Sequence, residues 1–568
     1  MKRGNLFLTL ALVVLTTISC KLPKEFLDGL TANPAPLEYK NGEVEFTING
    51  TFPEKYFTKK LTLTVTPVLT TSTGEVYKAE PKVFQGEKVT DNNETVTYKT
   101  GGSYTQTAKF AYVAGMENSV LTMEAVVSSG NKEYALEAVE VARGVNTTPL
   151  LTSLEPATGN LVALITPDKF QRIIKENTDA EIKYLINQSN IRYSETKTED
   201  IVALTNVIKD LKNAENRELD GVTISSYASP DGAMDLNERV SNNRGKNASS
   251  FINKELKKIK ADISIDSKLT AEDWEGFRRL VEESSVEDKN LILRVLSMHK
   301  DPEQREREIK NLSVAFKTIE ENILPQLRRS QMTVTVNVIG KSDEEISELA
   351  KTDAAQLNVE ELLYAGTLVN DTRAKIEIYR KATELYSDDY RSFNNLGVTL
   401  YEDGKVKEAA RAFAKAREIN GNVAEVNYNN GLIALASNDL EKAEEFLGNA
   451  GGVGEALNNA NGAIAIMKGN YKKAADLFGK SNSNNAAIAN ILNKNNGAAN
   501  KALSNNKDAN ATTSYLKAIV AARTNDESAL ISNLTEAINA DVTLKTRAAN
   551  DVEFINFEEN ESFQALVK

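Results

Sequence analysis

Three hydrophobic periodicities succeed one another along the chain. Between residues 37 and 142 apolar and polar positions alternate, as in Val44-Glu45-Phe46-Thr47-Ile48 and Leu61-Thr62-Leu63-Thr64-Val65-Thr66. Shorter runs of the same kind lie at 95–98, 108–112, 121–127 and 135–141. A period of two in branched and aromatic residues puts one face of a strand on a core and the other in water. Asn-Gly, Thr-Gly and Gly-Gly pairs between the runs supply the turns. Roughly seven such strands predict an immunoglobulin-like β-sandwich, bounded at residues 37–150. Nothing in it carries chemistry, and spacing or docking is its expected work.

From residue 179 the period is mixed. Residues 181–186, 222–224, 263–265 and 332–336 predict strands, while Ile201, Leu204, Ile208 and Leu211 recur at helical spacing and a second helix is predicted over 237–259. A β-α-β-α-β-β order gives an α/β sandwich, here over residues 179–341. Residues 267–327 interrupt it before the last strand. There, Asp273-Trp274-Glu275-Gly276-Phe277-Arg278-Arg279-Leu280 and residues 320–329 read as amphipathic helices. Trp274, the only tryptophan, is expected in their core. From residue 353 to 568 the chain is rich in Ala and Asn and is expected to be all-α.

That last segment repeats itself. Gly397, Ala409 and Phe413 recur as Gly431, Ala443 and Leu447 after thirty-four residues, and as Gly462, Ala474 and Phe478 after thirty-one more. Phe393, Leu396, Leu400 and Ala416 complete the first unit, and Tyr379 with Ala382 fit one unit upstream. Residues 515–523 and 529–538 read as a further, degenerate helix pair. Small residues let paired helices approach, while Phe and Leu fill the space between pairs. The set resembles the tetratricopeptide (TPR) repeat at its positions 4, 7, 8, 11, 20, 24 and 27. The resemblance is firmest over 360–480. It implies a solenoid with a concave surface for a protein partner.

The α/β segment has its own signature. Ser225-Ser226-Tyr227-Ala228-Ser229-Pro230-Asp231-Gly232, followed by Asn237, Ser241 and Arg244, resembles the OmpA-like domain. That family reads Gly-His-Thr-Asp-x-x-Gly, then Asn, then Leu-Ser-x-x-Arg-Ala. Gly232, Asn237, Ser241 and Arg244 fall on its spacing, with Val240 at the Leu position. The family's pocket holds the diaminopimelate of peptidoglycan with an Asp and an Arg. The resemblance makes Arg244 the partner of a ligand carboxylate, a task suited to a planar fork. Ser229 stands where the family has its Asp, and Asp231, two residues on, is the substitute within reach of the loop. The insertion gives the segment the look of a Bacteroidetes envelope variant.

The N-terminus has a third signature. Lys2 and Arg3 precede an apolar run at 6–15, and Thr16, Thr17, Ile18 and Ser19 lead to Cys20. A basic start, a short apolar core and small residues describe a secretory signal peptide, here residues 1–19. The run is too short to span a bilayer. Cys20 is the only cysteine, so it forms no intramolecular disulfide. The segment resembles a bacterial lipobox, with Thr17-Ile18-Ser19 where Leu-Ala-Gly is commoner. The resemblance makes Cys20 a lipidated residue held in the outer membrane by buried methylenes, with residues 20–36 as linker. An acid-rich run after the cysteine tends to mark surface export. Lys21-Leu22-Pro23-Lys24-Glu25 has none, so a periplasm-facing anchor is expected.

Composition narrows the function. A net charge of -12 argues against a nucleic-acid partner. The single histidine, His299, is expected at the surface and cannot form a two-histidine metal site. No Gly-rich phosphate loop and no Gly-x-Ser-x-Gly elbow occurs, and the many carboxylates read as solvated surface. No cofactor, metal or catalytic residue is therefore expected. The expected function is that of a lipid-anchored envelope scaffold that binds a protein partner through its repeats. Peptidoglycan is a further contact implied by Arg244, Asp231, Ser229 and Asn237. The alternatives are an outer membrane–peptidoglycan tether and a fimbrial or glycan-uptake accessory.

Overall fold

The computed structural model describes residues 24–154, 161–286 and 288–568. The expected signal peptide and Cys20 lie outside the described residues. The chain forms two compact units, Asp168–Leu368 and the remainder, Met1–Pro167 with Val369–Lys568.

Alternation builds a sheet-rich N-terminal region, with more strands than the seven expected. β1 (Glu43–Phe52), β2 (Thr62–Thr71), β3 (Gly102–Ala111) and β4 (Ser119–Ser129) are its long members. β1 pairs antiparallel with β3, and β2 with β4. Among the described residues the two sheets hold five and seven strands. Val44, Phe46 and Ile48 of β1 and Val65, Leu121 and Met123 of the second sheet are buried, and Phe52 of β1 meets Phe84 of the second sheet with ring centroids 5.0 Å apart. Phe26, from the short helix Lys24–Asp28, stacks on Phe52 with ring centroids 4.0 Å apart and closes one end. The run at 135–141 is not one strand. It spans Lys132–Ala135 and Val139–Arg143, which pair in turn with β4, the second through a bulge between Glu140 and Ala142. A bulge puts two residues opposite one and shifts the alternation by a step, so a simple period of two does not locate it.

In the unit Asp168–Leu368, β5 (Ile173–Lys183), β6 (Arg217–Tyr227), β7 (Ile265–Thr270) and β8 (Arg329–Ile339) form a sheet in the order β5-β8-β6-β7. Only β6 and β7 are parallel. α1 (Glu199–Asp210) supplies Ile201, Leu204 and Ile208, and α2 (Met234–Lys258) supplies Ala248, Ile252 and Leu256. These meet Ile182, Val222, Ile224, Met332 and Val334 in one core. The insertion folds as helices around a second core of Phe277, Val281, Ile292, Leu296, Ile309 and Ile319. Trp274 packs on its rim, half-buried, with its indole N–H donating to Glu272 at 2.9 Å. His299 is half-buried rather than exposed. It caps the helix Lys289–Met298, its N–H donating to the Val295 carbonyl at 3.1 Å. The first strand ends at Lys183, not near 186, and Leu185 and Ile186 open a loop that turns at Asn187 with φ 55°. The helices Asp343–Thr352 and Val359–Thr367 group with this unit, so they do not open the repeat array.

The array itself resembles a TPR solenoid. It runs α3 (Thr372–Leu385), α4 (Tyr390–Glu402), α5 (Val406–Ile419), α6 (Ala424–Ala436), α7 (Leu440–Gly448), α8 (Glu455–Met467) and α9 (Tyr471–Phe478). It continues through α10 (Asn484–Leu492), α11 (Asn496–Ser504), α12 (Ala511–Arg523) and α13 (Glu527–Ala540). The register glycines sit at the helix crossings. A methyl group on Gly397 would lie 2.6 Å from the Phe413 ring, on Gly431 2.8 Å from Leu447, and on Gly462 2.7 Å from Phe478. The register also continues past the expected repeats. Ala487, Ala499 and Leu503 form a shortened unit, followed by Ala518, Leu530 and Leu534, all buried. Among the described residues no helix is long and apolar enough to cross a membrane.

Candidate functional site

The first helix of each pair contributes to one inner face of the array. Three of these helices carry an asparagine two residues before the small register residue: Asn395 before Gly397 on α4, Asn429 before Gly431 on α6, and Asn485 before Ala487 on α10. All three are buried. On α8 the matching position is Ala460, which has no amide to offer.

The three amides hold main chain. The Leu164 N–H donates to Asn429 Oδ1 at 2.8 Å, and Asn429 Nδ2 donates back to the Leu164 carbonyl at 2.8 Å. Asn395 makes the same two bonds to Thr166, both at 2.9 Å, and Asn485 makes them to Ser153, again at 2.9 Å. Each asparagine thus pairs with an extended residue as a neighbouring strand would. Asn394 adds a bond to the Leu164 carbonyl at 2.9 Å, and Thr166 Oγ1 donates to Asn395 at 3.0 Å. Ser153, Leu164 and Thr166 therefore lie along the inner face in an order opposite to that of the repeats. Within residues 161–166, Leu161, Ala163 and Thr166 are buried, while Val162 and Ile165 are 54% and 42% exposed.

The other end of this segment is fixed by charge. Glu553 accepts from Arg523 at 2.5 and 2.7 Å, from Asn146 at 2.8 Å and from the Thr148 hydroxyl at 3.1 Å. Arg547 donates to the Thr147 carbonyl at 2.8 Å. The short helix Thr148–Leu151 then packs against α10.

The residues implied by the OmpA-like resemblance come together, but around each other. Arg244 is 1% exposed. Its guanidinium donates to the carbonyls of Gln188, Tyr227 and Leu185 at 2.9, 2.7 and 3.3 Å and lies over the Tyr184 ring. Burial draws its pKa down to about 10. Ser229 donates to Asp231, and Asp231 is paired with Arg328 at 3.1 Å. Arg328 also donates to the Ser229 hydroxyl at 3.2 Å. Asn237 donates to the Gly232 carbonyl at 3.1 Å, bracing the loop ahead of α2. The loop 185–189 is fastened down by Arg244 and by Asn247, which donates to the Ser189 carbonyl at 2.8 Å. Among the described residues no group of three or more His, Cys, Asp or Glu side chains is placed to hold a metal ion.

Comparison with solved structures finds matches of low identity, a tetratricopeptide repeat protein among them. A tetratricopeptide repeat protein from Parabacteroides merdae is 14% identical, with a TM-score of 0.28, over 46% of this chain and 96% of its own. PilF of Pseudomonas aeruginosa is 17% identical, with a TM-score of 0.28, over 39% of this chain and 100% of its own. PilW, described as a widely conserved type IV pilus biogenesis factor, is 13% identical, with a TM-score of 0.28, over 40% and 98%. No family model matches the sequence, and no curated protein matches it. The array's own register carries its assignment.

Two groups of residues here escaped the sequence. Arg328 neutralises Asp231, and its only signal was the Arg328-Arg329 pair ahead of the last strand. The asparagine clamps had a better one, the Asn placed two before the small register residue, once in each of three repeats.

Proposed function

We propose that this chain is a non-enzymatic scaffold of a bacterial cell envelope, anchored to the outer membrane through a lipid on Cys20, that holds a protein partner on its helical array. The observation that carries the reading is the inner face, where Asn395, Asn429 and Asn485 grip an extended polypeptide by its main chain. Solenoids of this kind present such faces to extended segments of other proteins. The test is purification of the tagged chain from native membranes, with and without muramidase digestion. A protein that co-purifies in both cases supports the scaffold. Retention that muramidase abolishes supports a peptidoglycan tether in its place.

The anchor has its own test. Cys20→Ala removes the thioether site, and the mature chain is expected in the soluble periplasmic fraction rather than with the outer membrane. A variant that still sediments with membranes after a high-salt wash would show that lipid is not what holds it.

For the cell wall, the geometry argues against a standing contact. Arg244, Ser229 and Asp231 are all bonded to neighbours in their own unit. A muropeptide would have to displace Arg328 from Asp231 and lift the loop 185–189 off Arg244.

A further inference from the structure

The inner face that serves the scaffold reading is already filled. We propose that residues 161–167 are a resident stand-in for a partner's extended segment, a strap that must leave the array before the partner enters. The inference rests on the scaffold reading and adds the regulation of its site.

Four observations support exchange over permanent attachment. The clamps hold chiefly main chain: Asn395 and Asn429 bond the N–H and carbonyl of Thr166 and Leu164, and the Thr166 hydroxyl adds side-chain bonds to Asn395 and Asn394. Any residue except proline offers that pair of groups, so another extended segment satisfies the same asparagines. The strap's inward side chains are mostly small: Ala163 and Thr166 accompany the one large residue, Leu161. Of its other large apolar residues, Val162 and Ile165 are exposed and add little to its hold, and Leu164 is only half-buried.

The fourth observation is that the segment is gripped in two blocks. Ser153 and the residues before it are tied by Asn485 and by the Glu553–Arg523 cluster. Leu164 and Thr166 are tied by Asn429, Asn394 and Asn395 alone. Between the two blocks the register places Ala460, which cannot clamp. The second block can therefore open while the first stays closed.

The occupant this groove fits is an extended segment of a partner protein that runs opposite to the repeat order. It carries a small residue where Ala163 sits and a small hydroxyl residue where Thr166 bonds Asn395. The strap competes from within the same molecule, at the high effective concentration of a short tether. The groove would thus stay shut to weak, unspecific peptides.

Two measurements on the full chain test this. In the unaltered protein, amide hydrogen exchange of Leu164 and Thr166 should proceed by local opening, at least about tenfold faster than core amides of α4 and α6. Equal protection in strap and helices would overturn the proposal. The second measurement uses Leu164→Pro with Thr166→Pro, which removes the strap's two main-chain donors to the clamps together with the Thr166 hydroxyl and leaves every groove residue in place. The probe is a fluorescein-labelled peptide of residues 161–170, followed by anisotropy. Loss of two main-chain hydrogen bonds from the competing strap should tighten peptide binding by about tenfold or more. Adding Asn395→Ala and Asn429→Ala should abolish that gain. If the helical, folded double-proline chain binds the peptide no better than its parent, the strap is a fixed part of the array. The scaffold reading would survive that result, because partner crosslinks on the array test it separately. If the proline variant loses its helical circular dichroism, hydrogen exchange of the unaltered chain decides alone.

Discussion

Ala409→Arg is expected to unfold the array. Ala409 lies on α5 with no exposed surface, at the register position where α5 meets its neighbours. The charge must either be buried unpaired or force the helices apart, a penalty of about 4 kcal/mol or more. In a solenoid each repeat is stabilised by the next, so the loss spreads to adjacent pairs. It also removes the strap's footing, since Asn395 and Asn429 are carried by the helices on either side of α5. Urea unfolding followed at the helical circular dichroism band should lose its array transition, while the separate compact unit Asp168–Leu368 keeps its own. A variant that unfolds in the parent's transitions would mean that this position is not packed as described.

Arg244→Met should destabilise the α/β unit by about 3 kcal/mol. The methionine replaces most of the volume but none of the donors. The Tyr227 carbonyl lies at the buried end of β6 and loses its 2.7 Å donor, while those of Leu185 and Gln188 can turn towards water once their loop lifts. One buried orphan carbonyl costs about 1–3 kcal/mol, and loss of the loop's packing adds to it. Arg244→Lys should recover less than half, because one ammonium cannot reach three carbonyls spread around a planar fork. Thermal unfolding of the two variants reads the effect. The same variants address the cell wall: neither the parent nor Arg244→Met is expected to be retained on purified sacculi. Retention of the parent alone would show that Arg244 leaves its carbonyls for a ligand.

The sequence carried the large elements because their signals are local. Alternation in β1 and β2, helical spacing at Ile201, Leu204 and Ile208, and the Gly397–Gly431–Gly462 register each describe a segment by its own period. Features that depend on distant pairing were invisible. Leu161-Val162-Ala163-Leu164-Ile165-Thr166 is a plain apolar run, and its partners are asparagines more than two hundred residues away on helices. No period of two or of 3.6 announces a strand whose neighbour is a row of side chains. Arg244 shows the same limit in the α/β unit. Residue type and spacing placed it at the family's pocket, but the loop 185–189 that covers it comes from before α1, and its carbonyls take the place of a ligand carboxylate. The bulge at Glu140 and the shortened unit Ala487–Ala499–Leu503 were missed for a simpler reason, a change of step within an otherwise regular pattern.

On the proposed reading, the array is where this chain meets its partner. Crosslinking of the full-length protein in native membranes, mapped residue by residue with a lysine-reactive reagent, tests it most directly. Lys415 and Lys442 on the array, with side chains 43% and 66% exposed, are open to the reagent. Lys175 and Lys183 on β5, at 63% and 52%, report on the other unit. The account predicts that crosslinks to another protein fall within residues 369–568 and are lost in Ala409→Arg. Protein crosslinks confined to residues 24–154 or 168–368, unchanged in that variant, would contradict it.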